Sequence, residues 1–206
     1  MGLAVLTLAP PAAAQPPGFS DEATFRRFLE YRNTPNYMRM LLNTALKDEQ
    51  TILPRCEDLE NRGRRLVAVI EPVIFAEGAG QPSSGLWLER VILGRCGAEA
   101  YRNIIFYVSP GDPVKTSTAL PGLTLADLDL QYDTGVAIMA VYRHAYPKCR
   151  DLTIVDTRVV TKPPATGGTW VESWSFYVCD DVVQHEIRFI PNAQGRVTYS
   201  FKPPSK

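Results

Sequence analysis

One segment of this chain occurs twice, with the same spacing of tryptophan, glutamate and cysteine. Residues 85–96 read GLWLERVILGRC and residues 168–179 read GTWVESWSFYVC, so the two segments lie 83 positions apart. The likeness continues beyond each cysteine, where the pattern I-x-F recurs at 104–106 and 187–189. Similarity at one fixed offset indicates that the chain contains a structural unit in two copies.

A second pair of matching segments extends the repeat towards the N-terminus. PRCEDL at 54–59 and PKCRDL at 147–152 lie 93 positions apart, so the first copy carries about ten extra residues between its two cysteines. The Gly, Pro and Ser residues in EPVIFAEGAGQPSSG predict that these extra residues form a longer hairpin loop. We therefore divide the chain into a signal-peptide-like segment (1–15), a first repeat (16–118) and a second repeat (119–206).

The four cysteines form an even set whose pairing follows from the repeat. Four cysteines allow three pairings, and only Cys56–Cys96 with Cys149–Cys179 gives each copy its own disulfide. The other two pairings would link the copies, as they would if strands were exchanged between them. No two cysteines have CxxC spacing and the chain has only two histidines, so we predict no metal site. We also predict no cofactor.

Each copy is predicted to begin with helices and to continue with strands. In the first copy, Ser20 is a candidate N-cap, Phe25 and Phe28 share a helical face, and Thr34 precedes a second helix. In the second copy, one helix is predicted after Thr124 and a shorter one in DTGVAIMAVYRHAY. Alternating β-branched and aromatic segments, separated by turn signals, then predict about four strands. The expected fold is therefore α+β: a tandem repeat of helix-helix plus a four-stranded antiparallel meander, in two copies.

The alternation of a strand places a carboxylate in line with large aromatic side chains. Glu172 shares one strand face with two tryptophans, and Glu89 lies beside one in the first copy. If this face is buried as ordinary sheet core, Glu172 needs a partner, for which Arg158, Arg188 and His185 are the candidates. If the face is exposed, its aromatic residues form a recognition surface. The candidate binding residues are Trp87, Glu89, Trp170, Glu172, Trp174 and Tyr177.

Charge and composition restrict the class of partner and the compartment. With 22 basic and 22 acidic residues the formal net charge is zero, which disfavours binding to nucleic acid. The apolar run from Leu3 to Ala9, followed by alanines, is typical of an export signal. No segment approaches the roughly 20 apolar residues of a transmembrane helix. An exported chain with an even number of cysteines is expected in the periplasm or outside the cell.

These observations favour a non-enzymatic binding protein that recognises a protein or a cell-envelope component through the aromatic sheet face. No catalytic motif occurs in a usable context, so we predict no catalytic residues. One alternative is a small hydrolase that uses Glu89 or Glu172 with His144 or His185. A second alternative is a structural factor of the cell envelope.

Overall fold

The computed structural model of the protein describes residues 17–52 and 55–202, so the predicted signal segment lies outside the described residues. Three helices and eight strands occur in this part of the chain. In chain order they are α1 (Glu22–Arg32), α2 (Pro35–Glu49), β1 (Leu59–Ile74), β2 (Ser84–Arg95), β3 (Ala98–Val108), β4 (Lys115–Thr118), α3 (Leu128–Ala145), β5 (Leu152–Thr161), β6 (Trp170–Val178), β7 (Asp181–Pro191) and β8 (Val197–Phe201).

The strands form two separate four-stranded antiparallel sheets, one in each copy. Their orders are β1-β2-β3-β4 and β5-β6-β7-β8, so both sheets are simple meanders and the predicted α+β class is confirmed. Strands β3 and β7 begin and end 83 positions apart, which is the offset of the sequence repeat. Each sheet packs on its own hydrophobic core, and no buried residue is shared between the two cores.

The second copy contains one helix in its described residues, where the sequence predicted two. Asp127 caps α3 by accepting a hydrogen bond from the backbone N–H of Leu130 at 2.9 Å. Thr34 caps α2 at the position 93 residues earlier, so α3 is the counterpart of α2, and α1 has no counterpart. The predicted break at Asp133–Gly135 does not occur, because Gly135 is buried within the helix and faces the sheet at Ile154. Packing of the helix face therefore outweighs the low helix propensity of glycine.

Both predicted disulfides are present. Cys56 bonds to Cys96 and Cys149 bonds to Cys179, with Cα–Cα distances of 5.9 and 5.2 Å. The second cysteine of each pair has a positive φ (46° and 50°), as does the residue that follows it (79° and 76°). Two successive positive φ angles are typical of the tight type I′ hairpin turn. Each disulfide therefore ties a hairpin turn to the segment that enters the first strand of the same sheet.

The extra residues of the first copy lengthen strands, whereas the sequence predicted a longer loop. Strand β1 has 16 residues and β5 has 10, while the hairpin loops 75–83 and 162–169 are of nearly equal length. Strand β2 is also longer, with 12 residues against 9 in β6, so most of the additional residues extend the paired hairpin. Part of the extra length of β1 lies in bulges, where one residue has no partner on β2. Val67 is one bulged residue, and Val160 occupies the equivalent bulge of β5, 93 positions later. The bulge at Ile70 is specific to the first copy.

The segment between the two copies hydrogen-bonds to both sheets. Gly122 N–H donates to the Tyr101 carbonyl of β3 at 3.0 Å, and Leu123 N–H donates to the Thr157 carbonyl of β5 at 2.6 Å. The buried side-chain amide of Asn103 on β3 donates to the carbonyls of residues 120 and 122, at 2.6 and 3.0 Å. These bonds place the beginning of α3 against the outer face of the first sheet, the face opposite α1 and α2.

Candidate functional site

Five of the six residues predicted to form a binding face lie on the core side of the two sheets. The helices cover that side of each sheet, so the tryptophans and glutamates are buried, as in the sheet-core alternative that the sequence left open. Tyr177 lies on the opposite side of β6, is 9 % exposed, and donates a hydrogen bond to Asp180 at 3.0 Å. The buried residues are Trp87, Glu89, Trp170, Glu172 and Trp174.

Glu89 is held by a cation and a tyrosine. Arg32, at the end of α1, forms an ion pair with its carboxylate through both Nε and Nη2, the second contact at 2.9 Å. The hydroxyl of Tyr37 donates to Glu89 Oε1 at 2.7 Å and accepts a hydrogen bond from Trp87 Nε1 at 2.9 Å. Burial, followed by the charge of Glu89, raises the pKa of Tyr37 far above its ordinary value. The carboxylate therefore joins α1, α2 and β2.

Glu172 is held by three uncharged N–H groups. Its Oε1 accepts hydrogen bonds from the backbone N–H of Leu125 at 2.8 Å and from Trp170 Nε1 at 2.9 Å. Its Oε2 accepts a hydrogen bond from Trp174 Nε1 at 2.9 Å. The prediction that a basic side chain pairs with Glu172 is therefore wrong: in the described structure, Arg158 pairs with Asp156.

The two glutamates fix equivalent parts of the two copies. Glu89 and Glu172 lie 83 positions apart in the sequence. Their partners in the segments that precede the helices, Arg32 for Glu89 and the Leu125 backbone for Glu172, lie 93 positions apart. In both copies the partner precedes a helix that packs on the sheet. Each carboxylate therefore positions the chain segment that leads into this helix.

The histidines of the alternative hydrolase lie elsewhere. His185 packs edge-on against the ring of Tyr142, with 5.4 Å between ring centroids, and also lies near Phe176. His144 is exposed in the last turn of α3. Within residues 17–52 and 55–202, neither histidine hydrogen-bonds to Glu89 or Glu172. The same residues contain no cluster of His, Cys, Asp or Glu suited to a metal ion.

A groove on the outer face of the first sheet was not predicted. It has a volume of about 680 Å³ and lies between β1, β2 and β3 on one side and residues 124–131 of the second copy on the other. Its apolar lining includes Val67, Ile70, Leu86, Leu88 and Leu125.

The floor of the groove contains a buried cation. Arg90 is only 6 % exposed, and its Nε donates a hydrogen bond to Asn103 Oδ1 at 2.7 Å. None of the described carboxylates lies within ion-pair distance of Arg90. Burial, and after it the charge of the cross-strand neighbour Arg65, lowers the pKa of Arg90 to about 10. The guanidinium also lies over the ring of Tyr101, 5.9 Å from its centroid. Its partners are therefore neutral, and none of the described carboxylates is its counter-ion.

The walls of the groove expose apolar side chains to solvent. Val67 and Ile70 are bulged residues of β1 and are 40 % and 45 % exposed, because a bulge turns its extra residue away from regular pairing. Leu125 faces them from the second copy and is 47 % exposed. Its backbone N–H is the group held by Glu172, so the core of the second copy positions this wall.

The equivalent face of the second sheet has a different character. Arg90 corresponds to Ser173 and Asn103 corresponds to Glu186, each 83 positions later. Ile105, which lies on the same face as these two, corresponds to the exposed Arg188. The groove is therefore a property of the first copy, although the two cores are alike. An alignment of the two copies that compared only outward-facing positions would have drawn attention to this face.

Comparison with known proteins finds no match. Neither a protein-family model, nor a curated protein, nor a solved structure is similar enough to this chain to count as one. The two intrachain disulfides indicate an oxidising, non-cytoplasmic compartment. None of the helices in the described part of the chain is long and apolar enough to cross a membrane.

Proposed function

We propose that this chain is an exported, non-enzymatic binding protein of the periplasm or the extracellular space, and that it binds a component of the cell envelope in the groove on its first sheet. The observation that supports this proposal is the combination of exposed apolar walls with a buried, unpaired cation at Arg90. A ligand in the groove would cover the exposed apolar walls and neutralise the charge of Arg90.

The apolar walls support binding because exposed apolar groups cluster there. A single exposed valine or leucine is ordinary on a protein surface, but Val67, Ile70 and Leu125 converge on one concave site. Small-molecule sites are concave, mostly apolar and carry a few polar groups, with volumes of roughly 300–1,000 Å³. The groove, at about 680 Å³, lies within that range.

The export of the protein is supported by its disulfides. Both bridges close within one copy and tie down tight hairpin turns, so they stabilise the native fold of a secreted-type module. Fractionation of the host cells tests the proposed export. Recovery of the protein in the cytosolic fraction, with its cysteines reduced, would contradict export.

Binding in the groove is tested with an uncharged apolar dye and a matched pair of substitutions. Val67 and Val160 occupy equivalent bulges in the two sheets and are both exposed, but only Val67 lies in the groove wall. We expect Nile red to bind the protein, Val67→Glu to weaken that binding, and Val160→Glu to leave it unchanged. Equal effects of the two substitutions, with thermal stability matched, would remove the groove from consideration.

A further inference from the structure

We propose that the groove takes a small amphiphile, an apolar chain with a single anionic headgroup, and that the Arg90 guanidinium is the counter-ion of that headgroup. This inference rests on the proposed function, which gives the groove a ligand, and it adds the chemical class of that ligand.

The anionic character of the headgroup is inferred from the positive charge of Arg90 at the floor of the groove. A buried guanidinium ordinarily has a carboxylate close by, because removal of an unpaired charge from water is costly. Arg102 in the same sheet follows this rule: it is buried and pairs with Glu49. Arg90 is also buried, but its partners are the neutral oxygen of Asn103 and the ring of Tyr101, whose centroid lies 5.9 Å from the guanidinium carbon, and Arg65 lies opposite it in the strand register. An anion entering the groove would therefore find a preformed positive charge that has no carboxylate partner.

The rim limits that anion to a single charge. Glu71, Asp127 and Asp129 also line the groove and are all exposed. Asp127 accepts a hydrogen bond from the first turn of α3, and the other two lie in the solvent-exposed rim. Three acidic groups at the opening repel a polyanion, such as a phosphate-rich headgroup or a nucleic acid, more strongly than a single anionic group, whose repulsion the charge of Arg90 would offset.

The apolar part of the ligand is a chain of small cross-section, and not an added β-strand. Strand β1 is an edge strand and could in principle pair with a peptide. Its regular pairing is interrupted at Arg62, Val67 and Ile70, and again at residues 72–73. Frequent bulges prevent the addition of a further strand, so the apolar walls are left to contact a flexible hydrocarbon.

Competition between Nile red and three C12 amphiphiles tests the inference on the intact, oxidised protein, below the concentration at which the amphiphiles form micelles. We expect dodecanoate to displace the dye roughly tenfold or more better than dodecanol, because a hydrogen bond to a charged group carries that much affinity. Dodecyltrimethylammonium should be the weakest of the three. Equal displacement by dodecanoate and dodecanol would overturn the assigned headgroup, while dye binding in the groove would still support the proposed function.

A substitution at Arg90 then locates the charge selectivity. Arg90→Gln should remove the preference for dodecanoate, and Arg188→Gln, on the outer face of the second sheet, should keep it. Preference retained in Arg90→Gln would overturn the assignment of Arg90. If that variant does not fold, the comparison of headgroups on the wild-type protein decides alone. Failure of all three amphiphiles to displace bound dye overturns the inference, whereas the absence of any dye binding overturns the proposed function itself.

Discussion

Replacement of each buried glutamate by glutamine should destabilise the protein to different extents. The two changes are nearly isosteric, so they leave packing unchanged and alter only charge and hydrogen bonding. In Glu89→Gln the cation of Arg32 loses its carboxylate, and Arg64 loses the ion pair that it forms with Glu89 at 4.0 Å. In Glu172→Gln no cation is left unpaired, because the carboxylate binds only neutral N–H groups.

The magnitudes follow from these partners. Loss of one member of a buried ion pair costs about 3–5 kcal/mol, because the remaining charge stays buried. In Glu172→Gln the amide oxygen can keep the hydrogen bonds from Trp170 and from the Leu125 backbone, since both reach the same oxygen. Only the hydrogen bond from Trp174 is lost, when the amide nitrogen faces its indole N–H. One buried donor without an acceptor costs about 1–3 kcal/mol.

The free energy of unfolding of the wild type and both variants is measured by urea titration of the oxidised proteins. Far-UV circular dichroism and tryptophan fluorescence should be followed together, because Trp87 reports on the first core and Trp170 and Trp174 report on the second. We expect Glu89→Gln to lose more stability than Glu172→Gln by roughly 2 kcal/mol. An equal or reversed order would refute the view that charge compensation distinguishes the two sites.

Three further predictions concern other parts of the structure. Removal of the second disulfide, by Cys149→Ser together with Cys179→Ser, should cost about 3–4 kcal/mol in urea unfolding, and a loss below about 1 kcal/mol would contradict its stapling role. Gly122→Ala should lower the thermal midpoint far more than Gly111→Ala, because both have positive φ but only at Gly122 would an added Cβ lie 2.3 Å from the backbone of β5; similar midpoints would argue against this contact. Tyr142→Phe should be neutral or stabilising at pH 7, because the buried hydroxyl has no hydrogen-bond partner. Burial raises the pKa of Tyr142 from 10.0 to about 12, so the free energy of unfolding of the wild type should fall as the pH rises from 10 towards 12, where the unfolded state ionises more readily. The phenylalanine variant should lack this part of the decrease, and an identical decrease in both proteins would exclude a contribution from Tyr142.

The sequence was sufficient to predict the class, the meander order and the disulfides, because these depend on local periodicity and on the internal offset. The number of helices in the second copy was not predictable, since Asp133–Gly135 resembles a helix break until the sheet packs against Gly135. The insertion was also placed in a loop, because Gly and Pro in the sequence outweighed the signal of an extended strand. The extra residues instead extend β1 and β2, and bulges, which have no strong sequence signature, take up part of the length of β1.

The candidate site was not predictable from the sequence either, and the reason is a different one. Glu89 and Glu172 were conspicuous, but charge within an aromatic strand is equally consistent with a binding face and with a satisfied core. Arg90 looked ordinary, because nothing local shows that residues 124–131 lie over the same sheet face. Such a groove depends on contacts between residues distant in sequence, and these follow from the hydrogen bonds of the linking segment to both sheets.

The two-copy architecture allows a small chain to have both a stable framework and an asymmetric candidate site. The inward faces of both copies keep the same Trp/Glu pattern, because each must bury a core and hold the entry to a helix. The outward faces are free of that requirement, and their residues differ at equivalent positions. Asn103 joins the linking segment to the first sheet and also accepts the hydrogen bond of Arg90, so one side chain fixes both the groove wall and its cation. A ligand therefore meets a groove whose parts are already ordered, which reduces the entropy lost on binding.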